Sequence, residues 1–107
     1  MILRSPYAAD NAAVARKADC LLIFGLTWST IGKRLAERAQ RVAARRGVAA
    51  LPIDVEASPE LARRHRVMAV PLLLLLRDGR EIDRRLGEVG ERDLDDWLAQ
   101  ALEEGRA

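Results

Sequence analysis

The 107-residue sequence has a single cysteine, Cys20. One thiol excludes an intramolecular disulfide and any zinc site built on several cysteines. Aromatic side chains make up only 4% of the chain, so a core must be assembled from aliphatic residues. No apolar run approaches the roughly 20 residues that a membrane-spanning helix needs. The first residues also lack a basic start followed by a continuous apolar stretch, so we expect no signal peptide and a cytoplasmic protein.

Charge is distributed unevenly along a chain whose net charge is only +2. Residues 1–53 contain 9 basic and 3 acidic groups, whereas residues 54–107 contain 9 basic and 13 acidic groups. A basic half could attract an anionic partner. One predicted helix carries a stripe of arginines: Arg34, Arg38, Arg41 and Arg45. Because no aromatic side chain interleaves with the stripe to stack on bases, we interpret it as a solvated helix face and do not expect nucleic acid as a partner.

The pattern of apolar residues predicts one α/β domain that spans residues 1–107. The runs L-L-I-F and L-L-L-L-L show no alternation, which is typical of strands covered on both faces. Ser58-Pro59-Glu60 has the cap, the first-turn proline and the acid of a helix start, and Asp78-Gly79 is a hairpin turn signal. The predicted strands are at 20–26, 48–55, 72–76 and 81–86, and the predicted helices at 30–46, 59–66 and 91–104.

Residues 1–18 give weaker signals: the Ala-rich stretch at 8–18 predicts a helix, and residues 2–4 fit a short edge strand. The helices between the first predicted strands are long enough for parallel crossovers, and the last two strands form a hairpin. These connections predict a mixed sheet with helices on both faces.

The helix predicted at 30–46 has an apolar stripe. Apolar residues recur there at helical spacing, and we expect that stripe to face the sheet. Its members are Ile31, Leu35, Ala39, Val42 and Ala43.

Three stretches of the chain, taken in order, resemble the thioredoxin family. F-G-L-T-W-S-T-I-G-K at 24–33 is similar to the strand, tryptophan and active-site turn of that family. V-M-A-V-P at 67–71 is similar to its loop that ends in a cis-proline, and L-L-L-L-L-R-D-G-R-E-I at 72–82, followed by Leu86-Gly87, to its terminal hairpin. The resemblance implies a thioredoxin fold with a mixed sheet of four to five strands.

The resemblance also identifies a chemistry that this chain lacks. Redox-active members carry Trp-Cys-x-x-Cys-Lys at the turn, where the helix N-terminus stabilises a thiolate and the second cysteine resolves the mixed disulfide. The two cysteine positions here are Ser29 and Gly32. A serine hydroxyl is far less acidic than a thiol and glycine has no side chain, so no cyclic disulfide can form.

Two further positions depart from the redox-active pattern. Such members often bury an aspartate in the strand before the turn, accompanied by a lysine on the next strand. In this chain the resemblance places Ile23 and Pro52 at those positions. A buried carboxylate is destabilising unless it is compensated, so an apolar pair favours a scaffold without a proton relay.

The resemblance assigns residues to two functional groups. The vestigial active-site turn contains Trp28, Ser29, Thr30, Ile31, Gly32 and Lys33. A protein-binding surface contains Trp28, Met68, Ala69, Val70, Pro71, Gly87 and Glu88. In this family the backbone before the cis-proline is open, so that a bound segment can pair with it like an added strand. We expect no catalytic residue, no metal and no cofactor.

Three polar or reactive side chains have a structural and a functional interpretation. Ser29 and Thr30 are interpreted as helix caps rather than as nucleophiles. His65 is expected to face solvent on a short Arg-rich helix. Cys20, at the start of a buried strand, is interpreted as a small buried hydrophobe rather than as a working thiol.

The preferred functional hypothesis is a redox-inactive thioredoxin-like protein that binds other polypeptides, as a chaperone or assembly module, through the surface around Trp28 and Pro71. The alternative is a thiol-disulfide oxidoreductase, either with Cys20 as its single thiol or as a chain whose active-site cysteines have been replaced. Whether the apolar active-site face is free or closed in a homodimer is left open.

Overall fold

The computed structural model describes residues 19–26 and 29–104, which form a four-stranded sheet and three helices. The strands are β1 (Asp19–Gly25), β2 (Ala49–Asp54), β3 (Leu72–Arg77) and β4 (Arg80–Leu86). The helices are α1 (Thr30–Arg45), α2 (Pro59–Arg64) and α3 (Glu91–Glu104). The elements predicted at 2–4 and 8–18 lie outside the described residues. None of the described helices is long and apolar enough to cross a membrane.

The sheet has the strand order β2-β1-β3-β4. β1 and β2 are parallel, and β3 is antiparallel to both β1 and β4. α1 makes the crossover that two parallel neighbours require. Asp78 and Gly79 both have positive φ, as a two-residue hairpin turn between β3 and β4 needs. The predicted mixed α/β sheet is therefore confirmed, with four strands among the described residues.

The central strands β1 and β3 are apolar on both faces, which explains why their sequences do not alternate. On one face, Leu21 and Ile23 pack with α1 and α3. On the other face, Leu22 and Phe24 pack with the segment that contains α2. The helical residues of the first layer include Leu35, Ala39, Val42, Ala43, Leu94 and Leu98. Helices thus lie on both faces, as predicted.

Ile31 does not face the sheet as its spacing predicted. It is 55% exposed, whereas Leu35, one turn further along the same stripe, is fully buried. Helical spacing gives the direction of a side chain around the axis, but not whether the sheet extends far enough along the helix to cover it. The first turn of α1 therefore presents an apolar residue to solvent.

Both ends of α2 differ from expectation. Ser58 occupies the cap position, but its side chain makes no capping hydrogen bond. His65 is half-buried rather than solvent-facing, and its ring centroid lies 6.0 Å from that of Phe24. His65 follows the buried Ala62 by three positions, so it lies on the face of α2 that packs against the sheet. Burial, followed by the charge of Arg64, lowers the pKa of His65.

The arginine stripe of α1 is mostly exposed, as predicted, but several of its members are also paired within the molecule. Arg38 donates through Nη1 to the carbonyl of Val89 at 2.7 Å. Arg41 and Arg45 donate to the two carboxylate oxygens of Glu91, at 3.2 and 3.0 Å. These contacts connect α1 to the start of α3, so much of the stripe is paired within the molecule.

Candidate functional site

Ser29 closes the turn before α1 and caps the helix. Its amide donates to the carbonyl of Leu26 at 3.1 Å. Its Oγ accepts the amide of Gly32 at 3.2 Å, from an extended backbone with φ −85° and ψ 129°. The capping interpretation of Ser29 is confirmed, since one of the unpaired N-terminal amides of the helix is satisfied. Thr30 is the first helical residue and is exposed.

The turn leaves no room for a side chain at Gly32. A Cβ added there would lie 2.7 Å from the carbonyl oxygen of Leu26, closer than real Cβ atoms approach. That carbonyl is held in place by the amide of Ser29. Any larger residue, a cysteine included, would therefore require the turn to move.

Two apolar residues, Ile23 and Pro52, lie side by side behind the turn. Ile23 and Pro52 are Cα partners in the parallel register of β1 and β2. Ile23 is 3% exposed and belongs to the core layer under α1 and α3. With an aliphatic and a proline side chain at these neighbouring positions, neither residue can hold or move a proton.

The loop before β3 is held at both of its ends. The Val70–Pro71 peptide bond is cis, and Val67 and Val70 pack partly against the core on the α2 side. Arg84 of β4 donates to the carbonyl of His65 at 2.7 Å. Between these fixed points Met68 is 92% exposed, and Ala69 is also exposed.

The end of β4 lies beside the cis-proline. The amide of Gly87 donates to the carbonyl of Pro71 at 2.8 Å, and Leu86 is the register partner of Leu72. Gly87 has a φ of +95°, a conformation that glycine adopts readily. Glu88 follows, half-exposed, with Oε2 3.9 Å from Nη1 of Arg38.

Among the described residues, the large apolar side chains that are exposed are Ile31, Met68 and Leu86. Ile31 belongs to the turn, Met68 to the cis-proline loop, and Leu86 to the strand end that is bonded to that loop. We call these three residues the apolar patch. The sequence assigned Gly87 and Glu88 to the binding surface but not Leu86, which precedes them.

A pocket of about 250 Å³ lies behind the turn. It reaches Gly32 and Lys33 at the start of α1 and Pro71 in the cis-proline loop, so it is continuous with the residues around the patch. We call it the Gly25 pocket. Its walls include Ile23, Gly25, Leu35, Ala36, Pro52 and Ile53. The sequence analysis did not identify it, although a glycine inside an apolar strand is a recognisable signal.

Cys20 is separate from this site. It is fully buried near the start of β1, whereas the turn follows the other end of that strand. Burial raises the pKa of its thiol from 9.0 to about 11, so the thiolate is scarce at neutral pH. The interpretation of Cys20 as a buried hydrophobe fits this geometry. Within residues 19–26 and 29–104, no cluster of His, Cys, Asp and Glu could hold a metal ion.

Several of the predicted site residues lie together in the structure, and one lies outside the described residues. The structure brings Gly32, Lys33 and Pro71 together around the pocket, joins Ser29 to Gly32 by a hydrogen bond, and places Gly87 against Pro71. Trp28, which the sequence analysis assigned to both the turn and the binding surface, lies outside the described residues.

The geometry of sheet, turn and proline loop matches solved structures of one class. The chain aligns with a point mutant of the thioredoxin from Halobacterium salinarum at a TM-score of 0.76 and 23% identity, over 92% of this chain and 87% of that one. A thioredoxin-2 described as a component of the malaria parasite protein secretion machinery aligns at a TM-score of 0.68 and 20% identity, over 78% of this chain and 82% of that one. The fold is therefore the thioredoxin fold.

Sequence comparison extends this result from fold to family. The thioredoxin family model matches residues 7–100. The chain is 34% identical to a thioredoxin of Mycolicibacterium smegmatis over 86 residues, which cover 77% of each protein. It is 32% identical to a thioredoxin of Mycobacterium tuberculosis over 76 residues, 69% of this chain and 66% of that one. The chain belongs to the thioredoxin family.

Proposed function

We propose that this chain is a redox-inactive member of the thioredoxin family that binds an extended segment of another polypeptide. The observation that carries the proposal is the placement of the apolar patch. The exposed large apolar side chains among the described residues belong to the first turn of α1, to the cis-proline loop and to the end of β4, which is hydrogen-bonded to that loop. Exposed apolar groups on neighbouring segments are a feature of protein-binding surfaces.

The absence of dithiol chemistry is supported by residues of the turn and the interior. We assign Ser29 and Gly32 to the two positions that carry cysteine in redox-active members. Position 32 lacks space for a side chain, and the apolar pair Ile23 and Pro52 cannot relay a proton. These features agree with one another, as expected for a turn that no longer serves thiol exchange.

The backbone of the cis-proline loop supports binding by strand addition. The amides of Met68, Ala69 and Val70 donate no hydrogen bond to a main-chain carbonyl of the described residues. An extended partner segment can pair with such a backbone while its side chains contact the apolar patch. Glu88, at the rim, would disfavour partners with acidic residues at the facing position.

The cellular role that fits this proposal is a chaperone or an assembly module in the cytoplasm, with the whole chain acting as one domain. The partner is then a polypeptide with apolar residues in an extended segment. Neither a membrane nor a nucleic acid is the proposed partner.

The binding proposal is tested with an array of short peptides that tile several unrelated sequences. Wild type should bind a subset rich in apolar residues. Met68→Glu places a charge in the patch and should weaken that binding at least about tenfold. Gln40→Glu adds the same charge at an exposed position of α1 outside the patch and should leave binding unchanged. No selective binding by wild type, or equal binding by Met68→Glu, would refute the proposal.

A homodimer that buries the patch is the alternative occupant, and sedimentation velocity distinguishes it. Under our proposal wild type and Met68→Glu sediment alike as monomers at micromolar concentration. A concentration-dependent dimer of wild type that Met68→Glu abolishes would assign the patch to self-association instead.

Thiol-disulfide exchange is the second candidate function, because the matched relatives are named thioredoxin. In this chain it would have to use Cys20. A fully buried thiol with a raised pKa is a poor nucleophile, so we rank this function below polypeptide binding.

A further inference from the structure

The Gly25 pocket has the features of a binding site in its own right. It has a volume of about 250 Å³, and an apolar cavity of about 150 Å³ is already large enough to bind benzene. We propose that the pocket receives one uncharged apolar side chain, of aromatic or large aliphatic type, from the polypeptide that binds the apolar patch. This inference rests on the proposed function and extends it by naming an anchor.

Gly25 supplies an independent observation. It is the last residue of β1, and its φ lies outside the positive range that only glycine adopts readily. A Cβ added at Gly25 would meet no atom within 4 Å. Neither the backbone conformation nor the neighbouring atoms therefore require glycine at position 25. Glycine is also unfavourable there, because it weakens a strand. The missing side chain leaves space in the pocket wall, as at positions where another molecule approaches the backbone closely.

The charge at the pocket determines the chemistry of the occupant. The charged side chains in its lining are Lys33 and Glu37, which are four residues apart on α1. Their opposite charges offset one another, and the remaining walls are aliphatic side chains, proline, glycine and Phe24. Such a site favours an uncharged apolar group over an anion or a cation, because a buried charge would find no net compensation.

The position of the pocket indicates where the occupant comes from. Gly32, which follows Ile31, and Pro71, which accepts the amide of Gly87 next to Leu86, both line the pocket. A segment paired with the backbone at Val70 would therefore run beside Pro71, a residue of the pocket wall. In protein interfaces, one apolar side chain seated in such a pocket commonly dominates the affinity.

The site is tested first without any partner, by titrating ¹⁵N-labelled protein with indole. Saturable shifts should appear at the amides of Gly25, Gly32 and Lys33. Gly25→Leu fills the pocket and should weaken indole binding at least about tenfold. Gly90→Leu makes the same change at another glycine whose Cβ would meet nothing within 4 Å, and it should bind indole like wild type. Absent binding, or equal binding by Gly25→Leu, would overturn the pocket as a site.

The source of the occupant is tested with the peptides selected on the array. Replacing the aromatic or large aliphatic residue of a bound peptide by alanine should weaken its binding to wild type, but not its residual binding to Gly25→Leu. Peptides that bind Gly25→Leu as tightly as wild type would overturn the anchor, while the proposed function would stand. If the protein binds indole but no peptide, the pocket stands as a binding site for apolar groups. The proposed function, and with it the polypeptide as the source of the occupant, is then refuted.

Discussion

At the scale of single residues, Ser29 and Gly32 constrain the conformation of the turn more than their residue types alone indicate. The sequence predicts the cap correctly, because serine before a helix has one common role. It does not reveal that Gly32 is enclosed, because the neighbouring atom is a main-chain carbonyl whose position depends on the turn. Ile31 was placed wrongly for a related reason, since its exposure depends on where the sheet ends.

Gly32→Ala should destabilise the protein. In an ordinary exposed helix this change stabilises by about 1 kcal/mol. Here the new Cβ would lie 2.7 Å from the carbonyl oxygen of Leu26, and relieving that contact strains the bond to Ser29. We expect a net loss of about 1–2 kcal/mol in the free energy of unfolding, measured by urea denaturation. Gly25→Ala is the control, because a Cβ there would meet no atom within 4 Å, and its expected change is within about 0.5 kcal/mol. Stabilisation by Gly32→Ala would contradict the enclosed turn.

Cys20 should make stability depend on alkaline pH. Burial raises the pKa of its thiol from 9.0 to about 11 in the folded state, so the unfolded chain loses this proton first. The contribution of the neutral thiol is fully present below the unfolded pKa and is lost as pH rises through the folded pKa. The stability of wild type relative to Cys20→Ala should therefore fall between those two values. A constant difference, measured by urea denaturation, would indicate an accessible thiol.

At the scale of secondary-structure elements, most of the fold was predictable. The leucine run at 72–76 and the strand before the turn could only be buried strands, because neither leaves a polar face for solvent. The contacts between α1 and α3 were not predictable, since they join residues about fifty positions apart. Arg34, Arg41 and Arg45 are exposed, as predicted, but Arg41 and Arg45 also pair with Glu91 at the start of α3.

Arg38 should contribute more to the junction of α1 and α3 than Arg41. Arg38 donates to the carbonyl of Val89 at 2.7 Å, and Val89 is buried, so Arg38→Met leaves that acceptor without this donor. We expect a loss of about 1–2 kcal/mol. Arg41 pairs with Glu91 on an exposed surface, so Arg41→Met should lose under about 0.5 kcal/mol.

Salt separates the two arginine effects. The loss caused by Arg38→Met should persist at about 1 M sodium chloride, because a partly buried hydrogen bond is weakly screened. The small loss caused by Arg41→Met should vanish there. Thermal denaturation at low and high salt measures both, and equal losses for the two variants would show that Arg38 has no special contact.

At the scale of the whole molecule, the chain retains a thioredoxin scaffold around a site without thiols. Its family could be inferred from three short stretches in the right order, since their spacing fixes the strands around the turn. The volume of the Gly25 pocket and the exposure of Ile31 and Leu86 could not be inferred, although Gly25 and Met68 gave recognisable signals in the sequence. The pocket arises where β1, α1 and the cis-proline loop meet, and its shape depends on side chains from several elements.

The most direct measurement of the central claim is dithiothreitol-driven reduction of insulin, followed by turbidity, with wild type beside Cys20→Ala. We predict that neither protein accelerates precipitation above the rate with dithiothreitol alone. The turn offers no thiol, and Cys20 is buried with a raised pKa. Acceleration by wild type that Cys20→Ala abolishes would contradict the account and identify Cys20 as the working thiol of an oxidoreductase.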